Sequence, residues 1–245
     1  MTDPLLVIDA GNTRIKWGLC DGGRWLSAGF VDTEDCAGLS SRLGHVPQHI
    51  IISNVAGGEV EAGLLAQLSG AGKRIHVISS LGAQCGVRNS YRNPAQLGTD
   101  RWAALIGARR LGAGAKLVVV AGTAMTIDAL TAEGVFLGGV IVPGLTLMHS
   151  ALHANTAQLG VPPGQIDAFP KETGDAIASG AIQASVGAVL RLREALRAQV
   201  QAEPDCIVSG GAARLLAPHL PFPAAIQDNL VLDGLVVIAK EIFDR

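Results

Sequence analysis

Charge is scarce in this sequence. Only 16% of its 245 residues are charged, and Lys plus Arg number 19 against 21 Asp plus Glu, so no broad electropositive surface is available to hold nucleic acid. A helix-turn-helix with a basic recognition helix is also missing. No apolar run reaches the ~18 to 20 residues that cross a bilayer, and the start, Met1-Thr2-Asp3-Pro4, lacks the basic-then-apolar order of a secretory signal. The expectation is a cytoplasmic protein with neither a membrane nor a nucleic-acid partner. Cys20, Cys36, Cys85 and Cys206 lie far apart with no Cys-x-x-Cys pair, which excludes a zinc knuckle and suits reduced thiols. His149 and His153 could share a helix face, but no acidic third ligand stands at a motif spacing, so they read as surface histidines. What the chain has in quantity is apolar residues, at 49%, and 31 glycines. That is the composition of a close-packed, turn-rich α/β protein, long enough for one large core or two small ones and with a small molecule as its default partner.

The apolar run Leu5-Leu6-Val7-Ile8 leads into Asp9-Ala10-Gly11-Asn12, a buried strand leaving its sheet through a tight turn. Ile15, Trp17 and Leu19 then alternate with Arg14, Lys16 and Gly18, the period of a returning strand, and residues 25–31 supply a third. Strands follow at Ile50-Ile51-Ile52 and Ile75–Ile78, with an amphipathic helix over 59–68 between them and another from Thr99 and Asp100 to about Gly112. Residues 116–130 can then be laid over residues 4–19, with Ala121-Gly122 falling on Ala10-Gly11. A third strand at 134–142, helical stretches, a buried strand at 205–209 and a closing helix over 229–243 complete the second copy. The pattern predicts two related α/β domains, 1–114 and 115–245, facing each other across a cleft in which a ligand binds.

Asp9-x-Gly11-Asn12-Thr13-x-x-Lys16 sets a carboxylate at a strand end, a close turn, two short polar side chains and a lysine on the returning strand. Such a set suits phosphate and Mg²⁺: turn N–H groups meet phosphate oxygens, Asp9 holds the hydrated metal and Lys16 adds a point charge. The same residues also suit a hairpin turn chosen for backbone geometry alone. Gly122-Thr123-Ala124-Met125-Thr126-x-Asp128 is the counterpart, and its relation to the first turn is what raises it above an ordinary Gly-Thr turn.

Asp9-Ala10-Gly11-Asn12-Thr13-Arg14-Ile15-Lys16, Tyr91-Arg92-Asn93-Pro94, Leu97-Gly98-Thr99-Asp100-Arg101-Trp102, Gly122–Thr126 and Gly138–Gly144 occur in the order found in type III pantothenate kinases. The chain resembles that family over nearly its whole length. The resemblance implies duplicated actin-like (ribonuclease H-like) domains of the actin, sugar kinase and heat-shock chaperone superfamily. It also implies ATP and Mg²⁺, a homodimer, and phosphorylation of pantothenate at the start of coenzyme A biosynthesis. Carried over, it makes Asp9 to Lys16 the first phosphate-binding segment and Thr123 a second ATP contact. Tyr91, Gly98, Thr99, Asp100, Arg101 and Thr173 become the pantothenate pocket, Asp100 the proton acceptor, and Gly210-Gly211 an adenosine-side pair.

Pattern alone also allows Asp100 to be the N-cap of the helix that follows, a position that would depress its pKa. Arg101 can donate two hydrogen bonds to a carboxylate or phosphoryl group, or pair with an interface acid. Tyr91 suits a ligand part apolar and part polar, or a core boundary. In the family an aspartate two residues before the Gly-Thr-Ala turn helps hold a monovalent cation; Val120 stands there, so K⁺ or NH₄⁺ lacks that ligand. A different kinase of the superfamily and a non-catalytic accessory regulator are the competing readings.

Overall fold

The computed structural model describes residues 4–70, 72–156, 159–162 and 164–243. The chain divides into two units, one made of Met1–Gly112 with Asn229–Arg245 and the other of Ala113–Asp228.

The first unit runs β1 (Leu5–Ala10), β2 (Arg14–Asp21), β3 (Arg24–Asp32), α1 (Leu39–Leu43), β4 (His49–Asn54), α2 (Gly58–Leu68), β5 (Arg74–Val77), the short pair β6 (Ala83–Gln84) and β7 (Val87–Asn89), and α3 (Thr99–Arg109). The sheet order is β3-β2-β1-β4-β5, with β1–β2 and β2–β3 antiparallel and β1–β4 and β4–β5 parallel. Alternation decides the faces. Leu6, Ile8 and Ala10 join Ile15, Trp17, Ile50 and Ile52 in a core closed by Leu39, Leu43, Leu64 and Leu68. Asp9, one residue out of phase with Ile8 and Ala10, therefore points to the other face.

The second unit runs β8 (Lys116–Ala121), β9 (Ala124–Leu130), β10 (Val135–Pro143), α4 (Leu145–Asn155), α5 (Thr173–Val200), β11 (Asp205–Ser209), α6 (Ala213–Leu216) and β12 (Ala224–Ile226). Its strands order β12-β11-β8-β9-β10, antiparallel through the meander and parallel for β8–β11 and β11–β12. Strand for strand this repeats the first unit, the duplication expected from the overlay of the two strand–glycine turns. Leu117, Val119, Ala121, Met125, Ile127 and Ala129 fill its core with Val189 and Leu196 of α5 and Leu216 of α6.

The closing helix α7 (Leu230–Phe243) departs from the sequence division, for it returns to the first unit. The reason is a glycine crossing with α3. A Cβ on Gly107 would stand 2.5 Å from Leu230 O, and one on Gly234 would overlap Ala103 O, so only glycine at both positions lets the two backbones touch. The helical stretches expected between the strands at 134–142 and 205–209 include one 28-residue helix, α5. No helix among the described residues is long and apolar enough to cross a membrane.

Candidate active site

The first turn is held by its backbone. Gly11 N–H donates to Arg14 O at 3.0 Å, Thr33 N–H to Thr13 O at 3.0 Å, and the Thr33 hydroxyl to Gly11 O at 2.7 Å. Asn12 and Thr13 are exposed at the tip. Arg14 turns outward, 3.7 Å from Asp32 and 4.4 Å above the Phe30 ring, while Ile15 is buried opposite Ala10. Asp9 pairs in register with Lys16 on β2 and with Ser53 on β4.

Asp9 is partly exposed as a residue, yet its Oδ1 is buried with no hydrogen-bond partner. Desolvation is the main cause that pushes its pKa up to about 7, the Asp100 charge adds to it, and Lys16 and a hydrogen bond from Ser53 pull against it. The fold thus brings the two candidate carboxylates within electrostatic reach. A buried acceptor whose lone pairs meet no donor fits a cation. Among the described residues no three His, Cys, Asp or Glu side chains gather to hold a metal, so a divalent ion at Asp9 would fill its shell from ligand and water oxygens.

The substrate segment begins in asparagine-stabilised turns. Asn89 Oδ1 accepts the Tyr91 N–H at 3.0 Å and Asn93 Oδ1 the Ala95 N–H at 3.2 Å. Helix α3 then starts, and its N-cap is Gly98. The reading of Asp100 as N-cap is corrected here: it lies in the first turn, where Oδ1 accepts the N–H of Arg101 at 2.8 Å. Its pKa is raised rather than depressed, because burial outweighs that hydrogen bond and the Arg101 charge. A Cβ on Gly98 would stand 2.5 Å from Asp100 Oδ1, so glycine there leaves the carboxylate its room. Arg101 is only 4% exposed and donates from Nη1 to the Tyr91 hydroxyl at 3.1 Å. The Thr99 hydroxyl lies 3.0 Å from Ser53 Oγ and 3.3 Å from Asn54 O.

In the second unit Thr123 is exposed in the turn between β8 and β9. Gly144 explains the glycine ending Gly138–Gly144: its N–H donates to Thr123 O at 2.8 Å, and a Cβ would overlap Gly122 O. Gly210, at φ +96°, packs on Ala121, where a Cβ would stand 2.5 Å from its carbonyl oxygen. Thr173 is the first residue of α5 and lines a cavity of about 340 Å³ with Met148, His149, Leu152 and Ile177. His149 Nε2 lies 3.0 Å from Val161 O.

A family model described as type III pantothenate kinase matches residues 5–195. The chain belongs to the type III pantothenate kinase family. Relatives of that name from Nitrosospira multiformis and Aromatoleum aromaticum are 45% and 46% identical, over 98% and 97% of this chain and 93% and 98% of their own lengths. Among solved structures, a Baf family transcriptional activator from Campylobacter jejuni superposes with a TM-score of 0.66 at 23% identity, covering 98% of this chain and 100% of that one. A 2-dehydro-3-deoxygalactonokinase from Sinorhizobium meliloti gives 0.63 at 16% over the same shares. MreB5 of Spiroplasma citri, bound to ADP, gives 0.54 at 11% identity, covering 100% of this chain and 99% of that one. These likenesses show the fold alone, the duplicated actin-like architecture.

Sequence reasoning passed over Ser53 and Thr33 in this family member. Ser53 closes the run Ile50-Ile51-Ile52, and a polar residue ending a buried strand beside the Asp9 strand was the available signal.

Proposed function

We infer that this chain transfers the γ-phosphoryl group of ATP to the hydroxyl of pantothenate, giving 4'-phosphopantothenate and ADP, the first step of coenzyme A biosynthesis. The observation that carries this reading is the approach of two desolvated carboxylates, Asp9 at the phosphate-type turn and Asp100 at the start of α3, in a member of the type III pantothenate kinase family. One carboxylate serves the phosphate side and the other the acceptor.

Phosphoryl transfer needs alignment and charge neutralisation more than a strong base. The turn from Asp9 through Ala10, Gly11, Asn12, Thr13, Arg14 and Ile15 to Lys16 lines the polyphosphate, with Lys16 as a point charge and Thr123 as a further nucleotide contact. Mg²⁺, when bound, neutralises phosphate charge, and Asp9 Oδ1 is the atom that would hold it. Asp100 accepts the hydroxyl proton as the γ-phosphorus–oxygen bond to ADP breaks and the bond to pantothenate forms. Its raised pKa brings it nearer the working pH, which improves a proton acceptor. Arg101, ordered by Tyr91, presents a planar cation to the pantothenate carboxylate or the moving phosphoryl group. Gly98, Thr99 and Thr173 complete the substrate contacts. No carboxylate at position 120 is available for K⁺ or NH₄⁺, so turnover does not depend on either.

The protein acts in the cytoplasm as a homodimer. Supporting dimerisation, α4 has no buried residue, and Leu147 and Leu152 of α4 and Val140 and Ile141 of β10 are exposed apolar side chains.

The test is ADP release from ATP and Mg²⁺ with and without pantothenate, for the wild-type chain and Asp100→Asn. Release that requires pantothenate and falls ~10²-fold in the variant is expected. Wild-type protein that releases no ADP above background overturns the assignment.

A further inference from the structure

We propose that Ser53 is a positioning residue, whose hydroxyl ties the Asp9 carboxylate to the Thr99 end of α3 and so sets the spacing between the metal side and the acceptor side of the site. The inference rests on the function given above for Asp9 and Asp100.

Ser53 is wholly buried, stands in β4 directly beside Asp9 of β1 on the same face of the sheet, and its hydroxyl lies 3.0 Å from the Thr99 hydroxyl; it is the neighbouring hydroxyl placed to donate to the Asp9 carboxyl and so to lower its pKa. Thr99 is the first residue of α3 and Asp100 the second, so this is a side-chain link between the two carboxylate-bearing elements through one atom.

Counting protons fixes its direction. Once Asp9 is ionised it only accepts, so in that state Ser53 donates to it. The contact with Thr99 is then made with the Thr99 proton, and Asn54 O at 3.3 Å is the longer alternative acceptor. Both functions of the Ser53 hydroxyl are therefore used. With Ser53 donating to the carboxyl and Oδ1 without a partner, the bond that orients Asp9 leaves one oxygen available to a cation. Alanine at 53 removes both bonds at once, freeing the Asp9 carboxyl to rotate and leaving Thr99 with the carbonyl alone. Nothing about burial would require a hydroxyl here, since the neighbouring Ile50, Ile51 and Ile52 are buried equally.

The role predicts a coupled defect. A merely structural serine would lower stability and leave turnover per folded molecule intact, a metal-side residue would move metal affinity alone, and a substrate-side residue would move KM for pantothenate alone. Full-length wild-type, Ser53→Ala, Ser53→Cys and Ser53→Thr proteins should be compared by kcat, by KM for pantothenate and by Mn²⁺ binding in the presence of ADP, read by electron paramagnetic resonance. Ser53→Ala and the near-isosteric Ser53→Cys should lose ~10- to 100-fold in kcat, the range for a hydrogen bond to a charged group. They should also weaken Mn²⁺ binding by roughly tenfold and raise KM, while Ser53→Thr, which keeps the hydroxyl, recovers most of each. Folded Ser53→Ala or Ser53→Cys protein with kcat and Mn²⁺ affinity within about twofold of wild type would overturn the proposal. Should wild-type protein fail to phosphorylate pantothenate, the functional reading falls, and the Mn²⁺ comparison still decides the role of Ser53.

Discussion

The two strand–glycine turns occupy equivalent places in two units of the same topology, and they have diverged in charge and by one residue in length. In each, the glycine N–H bonds back within the turn, Gly11 to Arg14 O at 3.0 Å and Gly122 to Ala124 O at 3.1 Å. The first turn is one residue longer, since Ala10 pairs with Ile15 but Ala121 with Met125. At the register position before those pairs the first unit has Asp9 opposite Lys16, and the second has Val120 opposite Thr126. The Thr126 hydroxyl oxygen is buried with no hydrogen-bond partner. One copy thus carries the ionic chemistry and the other supplies a neutral, tightly packed turn. Duplication fixed the strand scaffold, and a one-residue difference in turn length together with the side chains at one register position made the two turns different.

Removing the charge from the first turn breaks that contrast most severely. Asp9→Asn should lower kcat ~10³-fold, the scale of losing a preorganised electrostatic group. The same change should stabilise the protein without added metal. Because the Asp9 pKa is raised from 3.8 to about 7 in the fold, ionising it penalises the folded state. The penalty is absent below pH ~4, grows as pH rises toward 7 and is complete above it. Melting in EDTA should show the variant roughly 5 °C more stable at pH 8 and indistinguishable near pH 4. An unchanged melting point at pH 8 would mean that water already solvates the carboxylate.

How far the sequence led depends on whether the deciding physics was local. Alternation in Ile15, Trp17 and Leu19 and the overlay of the two glycine turns exposed the meander and its duplication, because a period of two survives in the chain itself. Asp9, Lys16 and Asp100 were legible as residue types at characteristic spacings. The position of α7 was not, for it depends on Gly107 and Gly234 meeting across more than a hundred residues. Asp100 could be assigned to the start of α3 but not to the first turn rather than the cap, since Gly98 and Asp100 differ there only in backbone geometry. Its pKa direction was missed for the same reason: burial is a property of the folded surroundings, not of a cap pattern.

Packing separates the turns as well. Gly144→Ala should cost ~2 kcal/mol or more, because its Cβ would overlap Gly122 O and stand 2.6 Å from Thr123 O and both obstacles are backbone. Gly11→Ala meets only Arg14 O, at 3.2 Å, and should cost under about 1 kcal/mol. Urea unfolding of the two variants at equal pH measures the difference. Equal losses would mean that the turns are packed alike and that only charge distinguishes them.

The smallest effect is expected where the second turn lacks its carboxylate. Val120 can neither coordinate nor attract a monovalent cation, and the Thr126 hydroxyl opposite it is one neutral oxygen, too few for a site by itself. Replacing Na⁺ by K⁺ or NH₄⁺ at constant ionic strength should therefore change kcat and KM for ATP by less than about twofold. An activation of fivefold or more by K⁺ would show that carbonyl and phosphate oxygens hold the ion without a carboxylate. In that case the charge asymmetry between the two turns would be smaller than their side chains indicate, because the bound cation would return a charge to the neutral copy.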